Sequence, residues 1–249
     1  VEEAKGFQTT LDIVNGTQID RGFVSPYFVT DQTKMTCVLD RPYVLLYGSK
    51  LTSIQDILGL LEEVRKAQRP LLIIADDIDG DALQGLVVNK LKGVLDVCAI
   101  RSPEFGTTRI STMEDLEILT GGKFISEVEE LKEQTVSALG TCRRIIIGKN
   151  VTTLVGASGE DEKIQDRVSA IKEYCEDPSL DVEDINAAKR RIARLANGVA
   201  VIRVGGSTEI EMKERKDRID DALSATRAAV AEGILPGGGT ALVRASKRL

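Results

Sequence analysis

Histidine is absent from the 249 residues. That removes the commonest general base, the Ser-His and Cys-His nucleophile pairs and most catalytic zinc sites. Any chemistry must then run on carboxylates, Lys, Tyr or Cys, or on groups outside this chain. Tryptophan is absent too and aromatics make up only 4%, which leaves little to stack on nucleic-acid bases. A net charge of −6 argues against a nucleic-acid backbone as partner. No apolar run approaches the roughly 20 residues a membrane span needs, and nothing resembles a signal peptide. The four cysteines, Cys37, Cys98, Cys142 and Cys175, form no CxxC pair. They read as free thiols in a reducing compartment rather than as a disulfide framework or a metal site.

What remains is an ordinary globular composition, 42% hydrophobic and 29% charged, long enough for one large domain or two smaller ones. The chain starts at Val1 without Met and stops at Leu249 in a helical pattern, which reads as a piece of something longer. Its most informative stretch is Leu51 to Leu91. Thr52 and Gln55 have capping-box spacing, and Ile54, Ile57, Leu58, Leu61 and Val64 recur at helical intervals, predicting a helix over 52–66. Pro70 opens Leu71-Leu72-Ile73-Ile74-Ala75, a run typical of a buried parallel strand. Asp76, Asp77, Asp79, Gly80 and Asp81 form an acidic turn before a helix over 80–91. That helix carries Ala82, Leu83, Leu86, Val87, Val88 and Leu91, an apolar arc too wide for a surface helix. Either it is buried all round, or Leu83, Val87 and Val88 face outward as a groove for apolar segments of other proteins. The acidic turn reads as caps and solvated charge, with a metal site as the alternative.

Along the chain, residues 1 to 15 look like a connecting strand, and Asp20-Arg21-Gly22-Phe23-Val24-Ser25-Pro26-Tyr27-Phe28 is an extended aromatic segment, either core strand or exposed apolar loop. Pro42–Tyr47, Leu71–Ala75 and Leu95–Ile100 alternate with helices, which predicts βαβ units and a largely parallel sheet. A helix over Ser111–Leu119 ends at Thr120-Gly121-Gly122. Further strands are predicted at Phe124–Ser126, Arg144–Ile147 and Thr152–Val155. Glu160–Tyr174 and Val182–Ala196 form a charged helix pair joined through Asp177-Pro178-Ser179. Val199–Val204 is a strand, and a long helix from Thr208 to Glu232 stops at Gly233. The Pro236-Gly237-Gly238-Gly239 turn is a weak phosphate-loop signal, since no P-loop Lys-Ser/Thr follows. Asp220 and Asp221 read as a solvated pair of carboxylates on the long helix.

These pieces, in this order, resemble the group I chaperonins, meaning bacterial GroEL and its mitochondrial and plastid relatives. The resemblance is carried by Asp20-Arg21-Gly22-Phe23-Val24-Ser25-Pro26-Tyr27-Phe28, Pro70 to Ala75, Ala82-Leu83 with Leu86-Val87-Val88-Asn89, and Leu119-Thr120-Gly121-Gly122. Gly198 to Gly205 and Gly233-Ile234-Leu235-Pro236-Gly237-Gly238-Gly239 add to it, so it spans essentially the whole chain. It implies an α/β apical domain of sheet layers flanked by helices over 16–198. One intermediate-domain arm ends within 1–15, a second spans 199–233, and a truncated second equatorial part opens over 234–249. The hinges would be Gly16, Gly198 and Gly233.

In that family the apical groove binds non-native polypeptides and, competitively, a co-chaperonin of the GroES type. The matching positions are Phe23, Tyr27, Phe28, Leu58, Leu61, Leu83, Val87 and Val88. Arg21 and Glu209 match positions that pair between subunits of the ring. Asp221 matches the acidic residue of the parent ATPase and Gly238 a nucleotide-contacting glycine, so ATP and Mg belong to the full-length parent and neither is expected on this piece. The sequence departs from the family's Pro-Gly-Phe-Gly-Asp turn at Glu104 and Thr107. Thr108, Ile110 and Ser111 replace basic residues there, Asn197 stands for a glycine, and the phosphate-binding Asp-Gly-Thr-Thr-Thr motif does not occur. The implied setting is the bacterial cytoplasm, with mitochondrial matrix or plastid stroma as alternatives. The expected activity is hydrophobic capture without turnover, lost in Val87→Glu or Leu61→Glu with little change in melting. A divergent binding paralogue, a phosphotransferase or ATPase using Asp76, Asp77, Asp79 and Asp221, and a structural oligomerisation module are the alternatives.

Overall fold

The computed structural model describes residues 1–4, 6–177, 180–196 and 198–247, with Thr107 described in its backbone only. The departure at Asn197 and the Pro178-Ser179 connection therefore lie outside the described residues. The elements run β1 (Glu2–Glu3), β2 (Thr10–Val14), β3 (Gly16–Ile19), β4 (Cys37–Asp40) and β5 (Tyr43–Tyr47). Next come α1 (Leu58–Ala67), β6 (Leu71–Ala75), α2 (Gly80–Leu91), β7 (Val97–Arg101), α3 (Gly106–Thr120), β8 (Phe124–Ile125) and α4 (Val128–Lys132). The chain continues with β9 (Gly140–Ile147), β10 (Thr152–Ala157), α5 (Asp161–Tyr174), α6 (Val182–Ala196), β11 (Val199–Val204), α7 (Glu209–Glu232) and α8 (Thr240–Ser246). The chain divides into a unit of Val14–Val199 and a unit of Val1–Ile13 with Ala200–Leu249.

In the larger unit, β6 is central and fully buried, as five consecutive apolar residues between two parallel neighbours require. Leu71 to Ala75 pair in register with Val97 to Arg101 on one side, and Leu71 to Ile74 with Tyr43 to Leu46 on the other. The sheet as a whole is mixed rather than largely parallel, with strand order β3-β10-β9-β5-β6-β7. Its β3, β10, β9 and β4 members are antiparallel. The reason is local: β9 and β10 are joined by a tight turn closed by the Gly148 N–H donating to the Val151 carbonyl at 2.8 Å, and a turn that short permits only a hairpin. Along β9 Gly140, Cys142, Ile145 and Ile147 are buried, and the alternation changes phase at Arg143 and Arg144, which are both half-buried.

Helix boundaries shift where caps, not apolar spacing, decide them. Ser53, rather than Thr52, accepts from the Gln55 N–H at 3.3 Å. It caps a 3-10 turn over Ile54–Ile57, and α1 itself starts at Leu58. Gln68, at φ 52°, closes α1 in the left-handed region before Pro70. α3 starts at Gly106, five residues before the predicted Ser111, because Thr108 and Arg109 are drawn into the first turn. The Thr112 hydroxyl donates to the Thr108 carbonyl, and Arg109 pairs with Asp76. The α5–α6 pair docks on α3 through Asp115, which is almost wholly buried. Arg191 donates to it twice, at 2.6 and 2.9 Å, and Arg167 once at 2.8 Å. In the smaller unit β1, β11 and β2 form a three-stranded sheet, and α7 buries none of its residues fully.

Candidate functional site

The corner of the larger unit built from the Ile54–Ile57 turn, α1 and α2 sets apolar side chains against solvent. Ile54 wedges against α2 at Gly85, where a Cβ would come within 2.2 Å of its Cδ1. The missing side chain at Gly85 therefore sets how closely the turn approaches the helix. The Ile54 N–H donates to Asp81 at 3.4 Å, which ties the turn to the first residues of α2. Leu86 and Ala82 anchor α2 to the core beneath. Asn89 donates to the Gly85 carbonyl at 2.8 Å, and its own carbonyl receives the Val94 and Leu95 N–H groups. The end of the helix and the loop after it are thereby fixed.

On this frame Leu58 is 42% exposed and Val88 45%. Leu83 and Val87 are half-buried and packed on the core. Leu61 is a different case. It is 6% exposed, because the 3-10 turn before α1 rotates the helix so that Leu60, Leu61 and Val64 point inward. Leu61 is thus a core residue and not part of an open surface. The aromatic segment splits in the same way. Ser25 caps a 3-10 turn over Pro26–Phe28 that drives Phe28 fully into the core and leaves Tyr27 64% exposed. Phe23 is half-buried and bridged to Ile100 of β7. Phe28, like Leu61, is therefore not an accessible groove residue.

Two further residues belong to this corner beyond those expected from the sequence. Leu91 is 64% exposed and Val94 is also exposed. Leu91 lies three and four residues after Val88 and Val87, hence on the same helical face. That spacing was the available signal; Val94 follows the left-handed Gly93 and carries no periodic mark.

The acidic turn beside this corner is a web of ion pairs. Asp76 meets Arg109, Asp77 meets Arg101 at 2.7 Å, and Asp79 meets Lys50 at 2.6 Å. The Arg101 hydrogen bond holds the Asp77 carboxyl below the usual carboxylate range. Among the described residues no group of three or more His, Cys, Asp and Glu is arranged to hold a metal. Carboxylates already matched to cations are poorly placed to act as bases, which weighs against the phosphotransferase alternative.

The remaining predicted positions lie elsewhere. Arg21 donates to the Ser102 carbonyl at 3.3 Å and stacks over Phe105 at 5.2 Å. Glu209 opens α7 and is exposed, as is Asp221 on the same helix. Gly238 sits in an open turn at φ 62°. Asp221 and Gly238, the two matched nucleotide positions, both face solvent. Gly16 lies in β3 and Gly198 at φ 60°, each within three residues of a crossing between the two units, and Gly233 caps α7 at φ 84°. Glu104 adopts φ 61°, a conformation that suits glycine, and its carboxylate accepts from Arg194 at 2.8 Å, which fixes the departure from the family turn in place.

A family model described as the TCP-1/cpn60 chaperonin family matches residues 2–249. The chain belongs to that family. Chaperonins as a class bind unfolded proteins and assemble into rings, and a mixed α/β unit with a wet apolar corner is consistent with the first of these properties.

Proposed function

We propose that Val14–Val199 is the apical, substrate-capturing part of a group I chaperonin, and that it holds non-native polypeptides in the furrow beside Leu58, Val88 and Leu91. The observation that carries this reading is the exposure of those three apolar side chains on α1 and α2. The co-chaperonin would compete for the same furrow, and Tyr27, Leu83 and Val87 would flank it. ATP hydrolysis and ring assembly would belong to the intact parent in a reducing compartment, in keeping with four free thiols. The bacterial cytoplasm is the proposed setting.

Magnitudes shape the mechanism. Covering Leu58, Val88 and Leu91 yields about 2 kcal/mol each, roughly 6 in all. Association alone costs about 4–15 kcal/mol of lost freedom. A single furrow therefore binds weakly, and firm capture needs several furrows on one ring acting on one client, which raises avidity without new contacts. Greasy side chains with no charged partner also explain broad client choice, because burial is non-directional. The test is fluorescence anisotropy of a labelled, permanently unfolded client titrated with the chain. Val87→Glu and Val88→Glu should each abolish binding while the circular dichroism melt stays near that of the parent chain. Undiminished binding by both variants would sink the proposal.

A further inference from the structure

A second open site lies at the other end of α1 from Leu58, and it is cationic. Arg41, Arg69 and Arg143 line a cleft of about 610 Å³ together with Gln68, Gly156 and Ser158, and no carboxylate lines it. On a chain with net charge −6, such a concentration of guanidinium groups runs against the overall charge.

Each wall is specifically built. Arg69 donates from Nε to the Arg41 carbonyl at 2.8 Å, and its guanidinium lies over the Tyr43 ring at 4.0 Å. Neither Arg41 nor Arg69 has an ion-pair partner among the described residues. Arg41 and Gln68 both hold left-handed backbones, at φ 53° and 52°. Two such non-glycine residues at one cleft mark a place where the fold tolerates strain. Opposite them Gly156, at φ 63°, makes room for Arg143: a Cβ there would lie 2.8 Å from the Arg143 Cβ and 3.2 Å from its Nε.

We infer that this cleft binds a small phosphorylated polyanion. Planar guanidinium forks match phosphate oxygens two at a time. The volume is within the range of small-molecule sites and well above that of a lone phosphate ion. The site is separate from the client furrow and does not depend on it.

The test is isothermal calorimetry of the full chain with inorganic pyrophosphate at low ionic strength. Saturable binding is expected, weakened at least tenfold by Arg41→Ala and by Arg69→Ala, and weakened also by Arg69→Lys, which keeps the charge but loses the fork. Arg144→Ala removes the same charge from the neighbouring position, where Arg144 meets Asp40 at 2.6 Å, and should leave binding within twofold. The Arg41 side chain makes no hydrogen bond within the described residues, so Arg41→Ala remains a usable variant should Arg69→Ala fail to fold. Absence of saturable pyrophosphate binding, or equal weakening by Arg144→Ala, overturns the site.

Discussion

Helices α2 and α6 cover the same unit and treat solvent in opposite ways. α6 turns Ala188 and Leu195 inward, rests Ile192 on the core, and gives its outer face to Glu183, Asp184, Lys189 and Arg190. Only Val182, in its first turn, is a large apolar residue left outside. It is also pinned by a buried ionic clamp, Arg191 on Asp115. α2 buries Ala82 and Leu86 equally well, yet presents Val88 and Leu91 to water and half-exposes Leu83 and Val87. Both helices satisfy the core, so the apolar excess on α2 is not needed for folding. Under the proposed function, that excess is the surface a client would cover.

The largest expected effect is on Leu61, which lies on the buried side of α1. Leu61→Glu forces a carboxylate into the core and should cost about 4 kcal/mol or unfold the unit. Chemical denaturation measures it, and a melt like that of the parent chain would place Leu61 in the furrow after all. Next comes the clamp under α6. Asp115→Asn leaves Arg167 and Arg191 without their shared anion and should cost about 3 kcal/mol; a loss below about 1 kcal/mol would mean that α6 docks by packing alone. At Gly85→Ala, helix propensity improves by about 1 kcal/mol while the new methyl displaces Ile54. The melt should move little and client affinity should fall severalfold.

The same contrast explains what could be read from the sequence. The runs Leu71–Ala75 and Gly80–Leu91 were legible because five apolar residues in a row, and an apolar arc too wide for one face, each have few structural solutions. Leu61 and Phe28 were not legible. Whether an apolar residue at a groove edge points in or out depends on a rotation of the helix or turn, here set by 3-10 turns capped by Ser53 and Ser25. Periodicity carries no information about that rotation. The parallel β5-β6-β7 core was legible from alternation with helices. The antiparallel half was not, because β4 is a short strand flanked by polar residues and pairs with β9, roughly a hundred residues further on. The arginine cleft was invisible for the same reason, since Arg41, Arg69 and Arg143 meet only in three dimensions.

Smaller effects sharpen the picture. Burial pushes the Cys142 thiol up to about 12, and Cys37 and Cys98 are buried as well, so only the half-exposed Cys175 should react promptly with a thiol alkylating reagent. Mass spectrometry after brief labelling should find one modified cysteine; rapid labelling of Cys142 would show the sheet opening. Smallest is the acidic turn. Arg101 holds the Asp77 carboxyl below its ordinary value, so the pair stabilises the folded chain above the usual carboxylate pKa near 4 and loses that contribution as pH falls through the folded value. The pair is partly exposed, so the contribution is less than about 1 kcal/mol. Arg101→Ala should flatten the acid side of the stability profile slightly, and an unchanged profile would show that solvent screens the pair fully.

The most direct measurement sets the two helices against each other. Titrate a labelled unfolded client with Leu91→Glu on α2 and with Val182→Glu on α6, both chains melting as the parent does. Capture should be lost in the α2 variant and complete in the α6 variant. Equal binding by both would contradict a furrow on α2.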